Sequence, residues 1–178
     1  GAAVFAASIR AIRRRAPSCG VEVLIPDFSG RAVDLQTVLD AEPSILNHNI
    51  ETVARLYPLA RAGGRYRRAL ELLERAGRQA PHIPTKSGLM VGLGEDLAEI
   101  IATLGDLRDV GCAILTIGQY LRPSVAHLPV ARYYTPEEFG TIRRTALDLG
   151  FGHVEAGPLV RSSYHAHEQV ESLNSTCR

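Results

Sequence analysis

Short apolar runs alternate with stretches of helical periodicity along this chain, and that alternation limits the folds open to it. The runs are VEVLI (Val21 to Ile25), SILNHNI (Ser44 to Ile50), TKSGLMV leading into GLGE, AILTIGQY and FGHVEAG. Helices are predicted over about 33–39, 51–59, 66–80 and 96–110, with another starting at Thr135. Thr135 is a cap residue, Pro136 takes the first helical position and Glu138 stands three residues after the cap, which is the pattern of a capping box. A further helix precedes the first run. Its apolar residues Val4, Phe5, Ile9 and Ile12 fall near one face, and Pro17 with Gly20 ends it. Strands separated by 10–15-residue helices read as βαβ units, and such units build parallel sheets. The predicted class is α/β with about five strands.

Composition narrows the function classes. With 178 residues, 46% of them hydrophobic, the chain can bury one sizeable core. Its formal net charge is +1, so charge gives no reason to propose a nucleic-acid partner. The arginine clusters at Arg13 to Arg15 and at Arg65 to Arg68 read as solvated helix faces. No apolar run reaches the roughly 18–20 residues that span a bilayer. At the N-terminus the basic residues follow the apolar stretch, the reverse of a secretory signal. The expectation is a soluble intracellular protein without a membrane partner. Cys19, Cys112 and Cys177 are dispersed; they suit neither a disulfide framework nor a thiolate metal site, and read as buried small hydrophobes or, for Cys177, a tail residue.

Polar residues collect at the C-terminal ends of the predicted strands: Asn47, His48 and Asn49, then Gly92 to Glu95, then Gln119 and Tyr120, and Gly157 onward. In β/α barrels and open α/β sheets that edge binds ligands. A closed barrel takes about 250 residues. This chain is shorter and opens in a helix with no strand before it, so the expectation is a cut barrel.

Three constellations carry chemistry. Asn47-His48-Asn49-Ile50-Glu51 sets amides, an imidazole and a carboxylate at one strand end. The amides suit a ribose or an amino-acid group, while His48 reads either as a base or ligand or as a structurally satisfied histidine. In Thr85-Lys86-Ser87-Gly88 through Gly92-Leu93-Gly94-Glu95, glycines let backbone approach a ligand and Lys86 could meet a carboxylate or phosphate. Glu95 at a helix start could equally cap the dipole, and the string is neither GxGxxG nor a P-loop. Arg161-Ser162-Ser163-Tyr164 offers a guanidinium fork and two hydroxyls able to ligate a metal when deprotonated. His165 and His167 alternate after it but lack a third ligand.

In order and spacing, VEVLIPDFSG, ILNHNIETV, TKSGLMVGLGE, LTIGQYLRPS, HLPV, YTPEEF and GPLVRSSYHA resemble the lipoyl synthase family, a branch of the radical S-adenosylmethionine (SAM) enzymes. The likeness runs from the first helix to about Ala166. It implies a partial, TIM-like (β/α) barrel, here the C-terminal half-barrel over 1–156 with an extension over 157–178 carrying the RSSY motif. It also implies an activity: sulfur insertion at C6 and C8 of an octanoyl chain on a lysine of a lipoyl carrier protein, in lipoate biosynthesis. The implied cofactors are SAM and two [4Fe–4S] clusters, one held by a CxxxCxxC motif. The other is held by three further cysteines and a serine of RSSY. By position that serine is Ser162, with Ser163 as its rival and Arg161 and Tyr164 as motif support. Asn47, Asn49, Glu51, Lys86 and Ser87 become candidates for the SAM side, with Gln119 and Tyr120 next. Implied partners are octanoylated carriers, either the glycine cleavage H protein or the lipoyl domains of 2-oxoacid dehydrogenases, and an electron donor such as ferredoxin or flavodoxin. The implied compartment is the cytoplasm, or an organellar matrix or stroma.

Both cysteine triplets are absent from this sequence. The expectation is therefore that this chain alone holds no cluster, inserts no sulfur and contains no catalytic residue of its own. A half-barrel should also expose sheet edge and apolar surface, favouring association. Two other readings compete: an inactive module that docks a lipoyl carrier protein, and a fragment of another radical-SAM enzyme. A metal-independent β/α enzyme would need an acid/base pair, for which only His48 and Glu51 offer themselves.

Overall fold

The computed structural model describes residues 1–164. His165, His167, Cys177 and the last residues of the extension lie outside them. Five strands, β1 (Glu22–Leu24), β2 (Ile45–Asn47), β3 (Thr85–Val91), β4 (Ile114–Gln119) and β5 (His153–Gly157), form one sheet. All neighbours are parallel, and the spatial order β1-β2-β3-β4-β5 repeats the order in the chain. Each strand is thus added on the same side of the last, which gathers the crossover helices on one face. That is how a barrel wall grows. A doubly wound sheet reverses its strand order at a switch point, and this one does not.

Side chains alternate across each strand, and here the alternation separates core from site. Leu89 and Val91 of β3, Leu115 and Ile117 of β4 and Val154 of β5 share a buried cluster with Ile100, Leu104 and Leu107 and with Phe139, Ile142 and Ala146. These last six lie on helices α5 (Leu97–Asp109) and α6 (Pro136–Asp148). Val23 and Leu46 join a second cluster under α1 (Ala2–Arg15), α2 (Ala32–Leu39) and α4 (Tyr66–Gln79). Full burial of each such aliphatic side chain contributes about 1.5–3 kcal/mol. The residues between them, Glu22, Asn47, Lys86, Gly88, Thr116, Gly118 and Glu155, belong to the opposite face, the inner one.

Helices α5 and α6 both start on capping boxes. Thr135 and Glu138 make one, as the sequence predicts, and Asp96 with Glu99 makes the other at α5. Two expectations are corrected. The helix predicted over 51–59 is absent: Glu51 forms a parallel bridge to Leu89, followed by a 3-10 turn (Ala54–Leu56) and a four-residue helix α3 (Tyr57–Ala60). The Glu51 amide donates to Gly88 and its carbonyl accepts from Met90, so its backbone is committed to the sheet. Pro58 is tolerated only in the first turn of a helix, and it stands at the start of α3 and not in the interior of a helix running from 51. In α1 the buried face is Ala2, Ala6 and Ile9, whereas Val4 is 70% exposed and Ile12 39%. The small residues Ala2 and Ala6 share the buried face with Ile9, and Val4 and Ile12 are turned outward.

Candidate functional site

The C-terminal ends of β3 and β4, with the segments that follow β2 and β5, surround a cleft of about 180 Å³. Its walls are Asn49, Glu51, Gly88, Leu89, Met90, Thr116, Gly118, Gln119, Leu121 and the segment Val160 to Ser162. Complete small-molecule pockets usually measure roughly 300–1,000 Å³, so this cleft is too small to enclose a whole ligand of that kind.

Asn49 is positioned by its neighbours. The His48 amide donates to the Lys86 carbonyl, the Ile50 amide to Ser87 Oγ at 3.0 Å, and Ser87 Oγ to the His48 carbonyl at 3.0 Å. Ser87 therefore clamps the backbone on both sides of Asn49. Asn49 Oδ1 is buried and has no hydrogen-bond partner among the described residues. Buried acceptors are rarely left unpaired, because the desolvation is not recovered. Glu51 follows at φ 68°, a left-handed conformation that costs a non-glycine residue about 1–3 kcal/mol. It is held there by the bridge to β3, and its Oε1 accepts from Arg61 Nη1 at 2.9 Å.

The structure brings together only some of the sequence-predicted residues. Asn49, Glu51, Gln119, Arg161 and Ser162 share the cleft, while Ser163 and Tyr164 are exposed and not among its walls. Gln119 is engaged by backbone: its Nε2 donates to the Arg132 and Tyr120 carbonyls, and its Oε1 accepts from the Tyr134 amide. It fastens the 120–134 segment to β4. Tyr120 is buried outside the cleft walls, with its hydroxyl donating to the Leu128 carbonyl at 2.9 Å. Glu95 accepts from the Gly92 and Leu93 amides, closing its own turn, and Asp96 caps α5 in its place.

Lys86 and Asn47 belong to a polar layer below the cleft. The Lys86 side chain is 0% exposed, and its Nζ donates to Glu22 Oε2 at 2.9 Å. Asn47 Nδ2 donates to the other Glu22 oxygen at 2.8 Å. Glu22 thus ties β1 to β2 and β3 across the inner face. Burial lowers the Lys86 ammonium from its ordinary value, and Glu22 partly restores it. Glu22 is the one charged residue of VEVLI, and that is the signal by which the sequence could have marked it as inward-facing. Thr116 and Gly118 could have been found from their shared parity on β4, whereas Arg61 carries no local signal.

His48 lies on the other face of β2. Its Nδ1 donates to the Ile25 carbonyl at 2.8 Å, while Nε2 is buried without a partner among the described residues. Burial holds its protonation below the ordinary imidazole range, and Arg61 adds to this. A neutral histidine anchored through Nδ1 fits these contacts better than a catalytic base. Cys112 is fully buried, which pushes its thiol up to about 12, so it stays protonated and packs as a hydrophobe. Among the described residues no group of three His, Cys, Asp or Glu side chains is placed to hold a metal.

A one-sidedly covered parallel sheet with a cleft at its C-terminal strand ends defines a partial (β/α) barrel. Solved structures share that fold. Over 97% of this chain it aligns with methylornithine synthase at TM-score 0.64 and 12% identity, covering 62% of that chain. Over 96% it aligns with an aldolase, QR15, at TM-score 0.55 and 16% identity, covering 70% of that chain. No protein-family model matches. The sequence itself is 61% identical to lipoyl synthase of Rubrobacter xylanophilus over 96% of this chain and 53% of that protein. It is 58% identical to lipoyl synthase of Shouchella clausii, over 96% of this chain and 55% of that protein. The chain belongs to the lipoyl synthase family, and it spans about half the length of the curated relatives it matches.

Two predictions follow from the buried polar groups. Glu22→Gln leaves the Lys86 ammonium buried without its carboxylate and should destabilise the fold by about 3–5 kcal/mol in denaturant unfolding. The double change Glu22→Leu with Lys86→Met should recover most of that loss. Because burial depresses the folded-state value of His48, the unfolded chain takes up a proton that the folded chain refuses. This contribution to stability is complete above the free-imidazole value of 6.5 and declines as the pH falls below it. His48→Asn, whose amide can still donate to Ile25, should flatten the dependence of the thermal midpoint on pH in that range.

Proposed function

We propose that this chain forms part of the barrel of a lipoyl synthase, inserting sulfur at C6 and C8 of a protein-bound octanoyl-lysine. Residues 1–156 serve as barrel wall, and the 157–178 extension carries the serine ligand of the sulfur-donating cluster. One observation carries this reading: Ser162 lies on the same cleft as Asn49 and Glu51, while Ser163 is outside it.

The residues present fit a SAM molecule in kind. The unpaired Asn49 Oδ1 seeks a donor, as a ribose hydroxyl or an ammonium would provide, and the Glu51 carboxylate stands on the same wall. Gly88 keeps that wall low, since a Cβ there would lie 2.6 Å from Asn49 Oδ1. Asn47, Lys86 and Ser87 act from behind as supports. Bound SAM would supply the oxidising radical, and the chain's own part is to orient it and exclude water. For the cluster the residues present offer one oxygen, Ser162; the other ligands would be cysteines outside this sequence. An alkoxide matches iron less well than a thiolate, so this is the ligand suited to release when the cluster gives up sulfur. Octanoylated lipoyl carrier proteins and a small electron donor are the inferred partners, and a soluble compartment is inferred for all of them. No helix among the described residues is long and apolar enough to cross a membrane.

In the full-length enzyme, Ser162→Ala should cut sulfur insertion by roughly 100-fold or more while SAM cleavage, read as 5′-deoxyadenosine, stays within about twofold. Ser163→Ala should preserve both. Unimpaired insertion in Ser162→Ala, or an equal loss in Ser163→Ala, overturns the assignment. The present chain alone, reconstituted anaerobically with iron and sulfide, should take up no stoichiometric cluster.

A further inference from the structure

Glycine inside a strand weakens it by about 0.5–1 kcal/mol and usually marks a close approach of another backbone. Gly118 is such a residue. It lies within β4, paired with Met90 on one side and Gly157 on the other. Its backbone is outside the left-handed region, so its conformation does not call for glycine. Its surroundings do. A Cβ at Gly118 would lie 2.3 Å from the Val160 carbonyl oxygen and 3.3 Å from both the Val160 carbonyl carbon and Arg161 Nη1. The closest of these atoms is backbone and cannot rotate away.

Val160 is held in that position from its other sides. Its amide donates to the Gly157 carbonyl at 3.2 Å. Its side chain is 7% exposed, and its carbonyl also accepts from Arg161 Nη1 at 2.7 Å. Tyr164 closes the turn by donating its amide to the Arg161 carbonyl at 2.9 Å. The chain leaving β5 therefore folds back across the end of β4, with Val160, Arg161, Ser162 and Gly118 all on the cleft.

We propose that Gly118 is a positioning residue: its missing side chain leaves the notch that seats Val160, and this seat holds Ser162 on the cleft. The value of the seat to the reaction rests on the reading of Ser162 as a cluster ligand. Two nearby glycines, Gly88 on the cleft wall and Gly157 at the end of β5, differ from Gly118. At Gly88 the nearest atom to an added Cβ belongs to the Asn49 side chain, and at Gly157 a Cβ would meet only Val160 Cγ2 at 3.4 Å, an ordinary contact.

The test uses full-length enzyme carrying Gly118→Ala, Gly157→Ala, Val160→Ala or Ser162→Ala. Hydrogen exchange of the cluster-free protein comes first. In Gly118→Ala the amides of 160–164 should exchange about tenfold faster or more while those of β3 and α5 stay protected. Gly157→Ala should match the parent. Val160→Ala cannot clash with β4, so it reports on the seat even where Gly118→Ala fails to fold, and it should loosen the same amides. In the reconstituted enzyme, Gly118→Ala should lose sulfur insertion to nearly the extent of Ser162→Ala, with SAM cleavage within about twofold of the parent. Parental exchange in Gly118→Ala, or in Val160→Ala where only that variant folds, overturns the seat whatever Ser162→Ala does. Faster exchange in Gly118→Ala with full insertion in Ser162→Ala sustains the seat and removes the ligand reading instead.

Discussion

One constraint underlies the rest of the molecule: a parallel sheet covered by helices on one face must put opposite chemistry on alternate residues. Leu89, Val91, Leu115, Ile117 and Val154 fill the helix-covered side. Their immediate neighbours Lys86, Gly88, Thr116, Gly118 and Glu155 occupy the other. A one-residue slip in β3 would exchange the two sets, taking Lys86 from Glu22 and setting it among the leucines. Register, core and site are consequences of the same alternation, and no separate device is needed to point Thr116 or Gly118 inward.

The strength of that arrangement explains how much could be read without coordinates. The five strands and their parallel relation were legible because each is bounded by glycine, proline or polar residues and the first four are followed by a helical period. Thr135 and Glu138 announced α6 through capping chemistry that is local by nature. The failures were equally physical. Residues 51–59 have helical composition, yet two backbone hydrogen bonds from Glu51 to β3 outweigh that preference. Propensity is a weak prior against a ladder already in place.

The site was legible by residue type more than by role. Asn49, Glu51, Gln119 and Ser162 do meet at one cleft. Lys86 and Ser87, quoted from the same strings, turn out to be partners of Glu22 and of the 48–50 backbone. No local pattern distinguishes a lysine that meets a ligand from one that meets a carboxylate 64 residues earlier. Gln119 shows the same ambiguity: it borders the cleft, but its amide is committed to Arg132 and Tyr134. Spacing in sequence locates a strand end; only the fold says which groups there are already engaged.

The order of the strands has a further consequence for how the molecule is made. Among the described residues every strand pairs only with its neighbours in the chain, from β1 through β5. No strand must wait for a distant segment before it can be satisfied on its growing side, so loop-closure entropy is met in short instalments. Such a sheet can be extended unit by unit as the polypeptide emerges from the ribosome, each helix covering its strand before the next is synthesised. Topology of this kind shortens the time for which an unpaired apolar edge is open to other chains.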